Sequence, residues 1–444
     1  MLLRWPAEAP LAALVSGGED CAHNAWSVFA RPRETVVIDG ALGPDDAVAA
    51  LHGALARTPR RRWDLESTDL ERTGMRPDGP EGTGMSCRLP PFDGGWIVAL
   101  GYSLGACFER SARGQRRTGS SPVSSPPPHA VLLWCEDAWC LDHSDGSLHS
   151  VGSPPPLQEH AVPHPWRIEG FGADSCDDEY FAAVAHTIGL IRNGDAFQAN
   201  IARRFSARFE GDVRSFAHRA ISENRAWFGA SLDLGSTGHV VSMSPELFLR
   251  VRPDGTVITR PIKGTRPSDV DPAELESSEK DAAELAMIVD LMRNDLGRVA
   301  EIGSVRVTTP RVLETHRTVH HGVGEVSARL RESIGWTELL QATFPPGSVT
   351  GAPKIRAMQI IDELERQPRG FYCGAIGFVS RSGHAALNVA IRTAQLGSAD
   401  STGATCLSYL AGCGIVSDSD PRSEVEETYA KTLAIAQLQG AGEP

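Results

Sequence analysis

Several whole classes of protein are excluded by what this sequence lacks. No stretch approaches the ~18 consecutive apolar residues a membrane-spanning helix needs. The start, Met1-Leu2-Leu3-Arg4-Trp5-Pro6, has no basic region followed by an apolar core, so it does not read as a secretory leader. The nine cysteines are odd in number and scattered, with no C-x-x-C pair. That pattern suits neither zinc nor a disulfide framework and fits reduced thiols in the cytoplasm. Positive charge is in deficit, with 43 Lys and Arg against 56 Asp and Glu and a formal net charge of -13. Nucleic acid and anionic membranes, which attract basic patches, are therefore not expected partners. No G-x-G-x-x-G, P-loop or internal repeat occurs, which removes the common dinucleotide and nucleotide folds and the solenoids.

What remains is long enough to bury a large core: 444 residues, 41% of them hydrophobic. Residues 1–150 read as short strands and turns, with apolar runs at 34–39, 96–101 and 130–135. Residues 57–90 and 110–128 are rich in Arg, Gly, Ser, Pro and Asp and read as surface loops. A Pro-rich span within 151–176 is the linker candidate, and 177–440 forms a second region that shares one compact fold with the first. There the spacing predicts helices over 177–193, 278–296, 353–364 (with Pro353 as first helical residue) and 423–438. Strands are predicted at 196–205, 240–242, 247–251, 256–259, 372–379 and 384–393, with Phe197, Ala199, Ile201 and Phe205 on one side of the first. Strand runs with widely spaced helices indicate α+β rather than βαβ.

Two features carry chemistry. Lys263, in Thr259-Arg260-Pro261-Ile262-Lys263-Gly264-Thr265-Arg266, stands between a proline-set turn and a glycine. Stiff backbone with little bulk around it can aim an amine into a cleft, although a lone Lys-Gly also suits an exposed turn. Asp281 and Glu284 share one helical face, and so do Glu424 and Glu427. Ser423 and Glu426 have the S-x-x-E spacing of a capping box, which accounts for Glu426. Acids in a first helical turn also simply complement the macrodipole. Two pairs on separate helices can instead converge on one hard cation, since magnesium takes an octahedron of oxygens.

From about residue 178 onward the chain resembles the chorismate-utilising enzymes, the anthranilate synthase component I family. The resemblance is carried by Gly194-Asp195-Ala196-Phe197-Gln198-Ala199-Asn200, Ser244-Pro245-Glu246-Leu247-Phe248, the lysine run, and Ile288-Val289-Asp290-Leu291-Met292-Arg293-Asn294-Asp295-Leu296-Gly297-Arg298. It continues through Phe344-Pro345-Pro346-Gly347-Ser348-Val349-Thr350-Gly351-Ala352-Pro353-Lys354, Ala390-Ile391-Arg392-Thr393 and Gly412-Cys413-Gly414-Ile415-Val416-Ser417-Asp418-Ser419. Within the family, a lysine in P-I-K-G-T resembles the aminodeoxychorismate synthase component I branch; the other branches generally carry a small residue there. The implied fold is α+β, with large antiparallel β-sheets packed as a sandwich core and flanked by helices.

The resemblance also implies a reaction: amination of chorismate at ring carbon 4, for 4-aminobenzoate and folate biosynthesis. Lys263 would attack carbon 2 and expel the 4-hydroxyl, and ammonia would then attack carbon 4 and expel the lysine. Glu246 matches the general acid, which must be protonated near neutrality, whereas attack by Lys263 needs a neutral amine. Glu284 and Glu427 match ligands of Mg2+, with Asp281 and Glu424 acting through waters. Tyr372 and Arg392 match groups that grip the enolpyruvyl carboxylate, His321 a position close to the ring, and Ser348 a nearby hydroxyl. Backbone N–H groups at Gly412 and Gly414 suit an anion, and Lys431 pairs with the acids or forms a solvated salt bridge. Ser16, in Leu14-Val15-Ser16-Gly17, resembles part of a tryptophan site. No glutaminase motif is present, so the resemblance implies a separate glutamine amidotransferase subunit that delivers ammonia. The alternatives are anthranilate synthase component I, with amination at carbon 2 and loss of pyruvate, and a catalytically silent binding protein of the same family.

Overall fold

A computed structural model of the chain describes residues 1–17, 25–58, 89–112, 126–315 and 319–440. Most of 57–90 and of 110–128, read above as surface loops, lies outside the described residues.

Among the described residues, nineteen strands join in one hydrogen-bonded network of antiparallel pairs. From one edge, Trp166–Ala173 pairs with Gln198–Gly211, followed by Ala404–Ile415, Thr393–Leu396, His239–Ser244, Phe228–Asp233, Ala12–Val15 and Trp26–Ile38. The long pair Trp26–Ile38 and Ala130–Asp142 then leads into a second layer through an irregular register between Arg31 and Glu34. That layer runs through Gly95–Leu100, Ala375–Ser380, Ala385–Val389, Leu247–Val251 and Thr256–Arg260. It ends on Val319–Arg329, whose one edge takes Thr256–Arg260 and Ile262–Pro267 in succession and whose other edge takes Arg306–Thr315.

Strand periodicity makes this a sandwich. In Gly95–Leu100, Ile97 and Ala99 join Val131, Leu133, Ala230, Leu232 and Ile376 between the layers. Trp96, Val98 and Leu100 face outward onto Leu51, Leu285, Ile288 and Leu339, which lie on helices Pro44–Leu55, Glu279–Gly297 and Trp336–Thr343. Such a strand is apolar throughout because helices cover the face a simple hairpin would leave wet. The other layer is covered in the same way by Val213–Asn224 and Pro421–Ala436, through Phe216, Ala220 and Ile435. No helix among the described residues is long and apolar enough to cross a membrane.

The front region is woven into the rest: Ala12–Val15 pairs with Phe228–Asp233, and Gly95–Leu100 with Ala375–Ser380. Within the Pro-rich span 151–176, Trp166–Ala173 is an edge strand. Three local expectations need correction. The last helix begins at Pro421, and the Asp420 carboxylate accepts from Ser423 N–H, so Ser423 and Glu426 form no capping box; an Asp-Pro pair supplies a better start. Pro353 caps the helix Lys354–Leu364 from outside instead of opening it. Phe197 is 69% exposed and precedes the strand Gln198–Gly211, so it does not share the buried side of Ala199, Ile201 and Phe205.

Candidate functional site

Lys263 sits in the edge strand Ile262–Pro267, where the register slips: Ile262 pairs with Val323 and Thr265 with His321, so Lys263 and Gly264 together oppose Gly322. The expected turn is a β-bulge, a device that re-aims one side chain without ending the strand. Glycine is needed on both sides of it. Gly264 has φ +80°, and a Cβ on Gly322 would stand 2.6 Å from the Lys263 carbonyl oxygen. The bulge directs the half-buried Lys263 across to the other layer, where its Nζ lies 3.2 Å from the point a Cβ on Gly414 would occupy.

Glu246 follows the strand His239–Ser244 and is buried. Burial pushes its carboxyl up to about 7, although the Ser348 hydroxyl, the Lys263 charge and the Ile262 N–H all favour the ionised form. Ser348 is therefore a direct partner of the candidate acid. His321 is buried beside the lysine strand, its Nδ1 2.9 Å from the Thr265 hydroxyl.

Acids of the two helices come within electrostatic range of one another here. On Glu279–Gly297, burial and the Asp281 and Glu424 carboxylates raise the Glu284 pKa, while Lys263 and Lys280 oppose the rise. On Pro421–Ala436, burial disfavours the Glu427 charge, but Lys431, Lys263 and Lys280 hold its pKa below the usual carboxylate value. Lys431 Nζ lies 2.7 Å from Glu427 and donates at 2.7 Å to the Gly412 carbonyl. Burial works against the Lys431 charge, yet the Glu427 and Glu424 carboxylates raise its pKa. Ligand atoms of Cys413, Glu424 and Glu427 fall within 4.8 Å of one another. Cys413 Sγ contacts the Glu424 carbonyl at 3.5 Å, and burial pushes the thiol up to about 12. The carboxylates are thus the available anionic donors, a hard set of the kind magnesium takes. Asp281 is ion-paired to Arg266 at 2.9 Å. The helix is anchored by buried Arg203, which donates to the Thr428 hydroxyl at 3.0 and 2.8 Å, one residue from Glu427.

Gly412 and Gly414 lie on Ala404–Ile415, opposite Ala202 and Asn200. The Ala202 N–H donates to Glu365 and the Asn200 N–H to the Thr350 carbonyl, so both turn away from the glycine strand. In an antiparallel ladder their partners must do the same. The Gly412 and Gly414 amides therefore face the edge left open where Thr393–Leu396 stops pairing at Tyr409. Arg392 lies at that break with φ 49°, which divides the expected strand 384–393 into Ala385–Val389 and Thr393–Leu396. A non-glycine residue held there is strained, as is common at binding sites. Burial pushes Tyr409 up to about 12 against the nearby Arg392 and Lys431 charges, so both cations border this edge. Tyr372 is buried against Arg369, whose guanidinium lies 5.7 Å from its ring centroid. Ser16 lies far along the sheet, its N–H donating to Ser27 Oγ at 2.9 Å; Ser27 Oγ in turn contacts His143 Nε2 at 2.7 Å.

Two residues escaped the sequence reading. Gln198 is buried, neither end of its amide has a hydrogen-bond partner, and its Nε2 is 2.4 Å from the Cβ point of Gly414. It therefore borders the Lys263 amine, and its polar type inside an apolar strand was the available signal. Lys280, exposed one turn before Glu284, acts on both Glu284 and Glu427. Composition could have found it. Of the 43 basic residues only four are lysine, at 263, 280, 354 and 431, and three of them converge here. Arginine serves for ordinary surface charge; a compact amine is kept where a point charge or a nucleophile is needed.

Comparison with known proteins identifies the family. The chorismate binding enzyme family matches residues 24–437. Aminodeoxychorismate synthase component 1 of Klebsiella aerogenes is 36% identical over 446 residues, covering 95% of this chain and 92% of the relative. Anthranilate synthase component 1 of Streptomyces coelicolor is 34% identical, covering 78% of this chain and 73% of the relative. Among solved structures, anthranilate synthase component I from Streptococcus pneumoniae superposes with a TM-score of 0.73 at 28% identity, over 92% of this chain and 91% of that one. The chain belongs to the chorismate binding enzyme family and is a chorismate-utilising enzyme.

Proposed function

We propose that the chain is the aminating component of an aminodeoxychorismate synthase. The observation that carries this reading is the Lys263 amine, seated over Gly414 and within electrostatic reach of Glu246, Glu284 and Glu427. The Lys263 nitrogen forms a bond to carbon 2 of chorismate, the ring double bonds shift, and the carbon 4 hydroxyl leaves with the proton held by Glu246. Ammonia then bonds to carbon 4, the electrons shift back, and the lysine amine departs. A lysine on carbon 2 bars ammonia from that carbon, which directs the nitrogen to carbon 4.

Glu284 and Glu427 would hold Mg2+, with Asp281 and Glu424 behind them; the ion would supply positive charge for the ring carboxylate. The Gly412 and Gly414 amides would take a second carboxylate, with Arg392 beside them. His321, fixed by Thr265, and Tyr372 would shape the ring pocket, and Gln198 would face the reacting amine. Ammonia would come from a separate glutaminase subunit. Supporting the branch assignment, the Klebsiella aerogenes and Escherichia coli relatives named aminodeoxychorismate synthase component 1 are 36% and 35% identical to this chain.

The test supplies chorismate, ammonium and magnesium, then aminodeoxychorismate lyase. Wild type yields 4-aminobenzoate, and Lys263→Ala yields none above background. Fluorescent 2-aminobenzoate from the wild type overturns the reading in favour of anthranilate synthase.

A further inference from the structure

A polar contact between the strand that carries Lys263 and the acidic helix Glu279–Gly297 spans the bulge. Arg266 Nη2 lies 2.9 Å from Asp281 Oδ2, while Arg266 Nη1 donates at 2.9 Å to the Thr265 carbonyl. Asp281 also packs on the bulge itself: its Cγ and Cβ stand 2.9 and 3.0 Å from the point a Cβ on Gly264 would occupy. Its own backbone is pinned, because its N–H donates to the helix-capping Ser278 hydroxyl at 3.3 Å. One carboxylate, fixed at a helix start, therefore presses on the residue after Lys263 and is ion-paired to the residue three beyond it. Edge strands with a bulge are held by few ladder bonds, and the register slip here removes more of them. Some other restraint has to keep the amine aimed.

We propose that Arg266 is a positioning residue for Lys263: through Asp281 it locks the bulge and couples the nucleophile's strand to the helix that bears Glu284. This rests on Lys263 being the nucleophile. Arg266 is partly exposed and sits at the edge of the fold, so its replacement leaves the core intact.

The experiment uses the full chain with Arg266→Gln, Arg266→Lys, Asp281→Asn and the double variant Arg266→Gln/Asp281→Asn. Without chorismate or metal, labelling of Lys263 by trinitrobenzenesulfonate is followed by peptide mass mapping and normalised to exposed Lys280. In Arg266→Gln the amine leaves its seat over Gly414 and labels several-fold faster; in Arg266→Lys, which keeps the charge, the rate returns toward wild type. Turnover with chorismate, ammonium and magnesium falls ~10-fold or more in kcat with KM nearly unchanged, as small misplacements do. The double variant is no worse than Asp281→Asn alone, because the two residues act as one unit. Unchanged labelling and kcat in Arg266→Gln, or additive losses in the double variant, overturn the proposal. Labelling and its double-variant coupling need no substrate. Wild type that fails to aminate chorismate while these effects persist therefore discards the proposed reaction and keeps the latch.

Discussion

Glu246 and Glu427 both lie within reach of the Lys263 charge, yet their surroundings drive them to opposite protonation states. Glu246 is 4% exposed, and its neighbours are a hydroxyl and a backbone amide, so burial dominates and the carboxyl rises to about 7. The Glu427 side chain is 50% exposed and is ion-paired with Lys431, which keeps it ionised. Two carboxyls with their proton affinities pushed apart can divide the labour between acid and anion. The contrast teaches that here the surroundings of each glutamate set its protonation state. Neither spacing nor residue type distinguishes donor from ligand; in the sequence only the family resemblance separates them.

The largest break in this contrast comes from removing the proton. Glu246→Gln should lower kcat by ~10²–10⁴-fold, the usual worth of a general acid. The native enzyme should lose activity as pH rises through about 7, since the raised pKa keeps the acid form dominant only below that value. The stability sign runs the same way: a carboxyl held above its unfolded value of 4.5 stabilises the fold at low pH, and that contribution is lost as pH passes about 7. Melting temperatures of wild type and Glu246→Gln across pH 4 to 9 check this, and a wild-type profile that climbs toward pH 9 would contradict it.

Next comes the ionised partner. Glu427→Gln should weaken magnesium affinity by at least ~10-fold, read by calorimetry, while leaving the pH midpoint set by Glu246 in place. An equal loss of acid catalysis would mean the two sites are not separable. The smallest effect belongs to Lys280. Its exposed charge is screened, so Lys280→Gln should change the magnesium requirement only ~2-fold at low salt and not at all at high salt. Any larger change would place Lys280 in direct contact with bound substrate.

Local patterns were readable in advance where the physics is local. The helix Glu279–Gly297 follows from a Ser278 cap and apolar spacing, and Asp281 and Glu284 share its face by helical geometry alone. The strand Gly95–Leu100 follows from its apolar run. Pro-Ile-Lys-Gly has turn composition, and only the facing Gly322 reveals that the strand continues through a bulge at Lys263. The start of the last helix moved because Asp420 and Pro421 outcompete Ser423 as a cap, a contest between neighbours. The meaning of Gln198 lies in Gly414 and Lys263, residues distant in sequence.

By itself the sequence decided the chemical inventory: one amine between a proline-set turn and a glycine, paired acids one helical turn apart, glycines where backbone must approach closely, and motifs that mark the family. Tertiary structure alone decided which acid keeps its proton and where the amine points. Both depend on desolvation and on charges brought together from different strands and helices, and burial and long-range contacts exist only once the layers have packed.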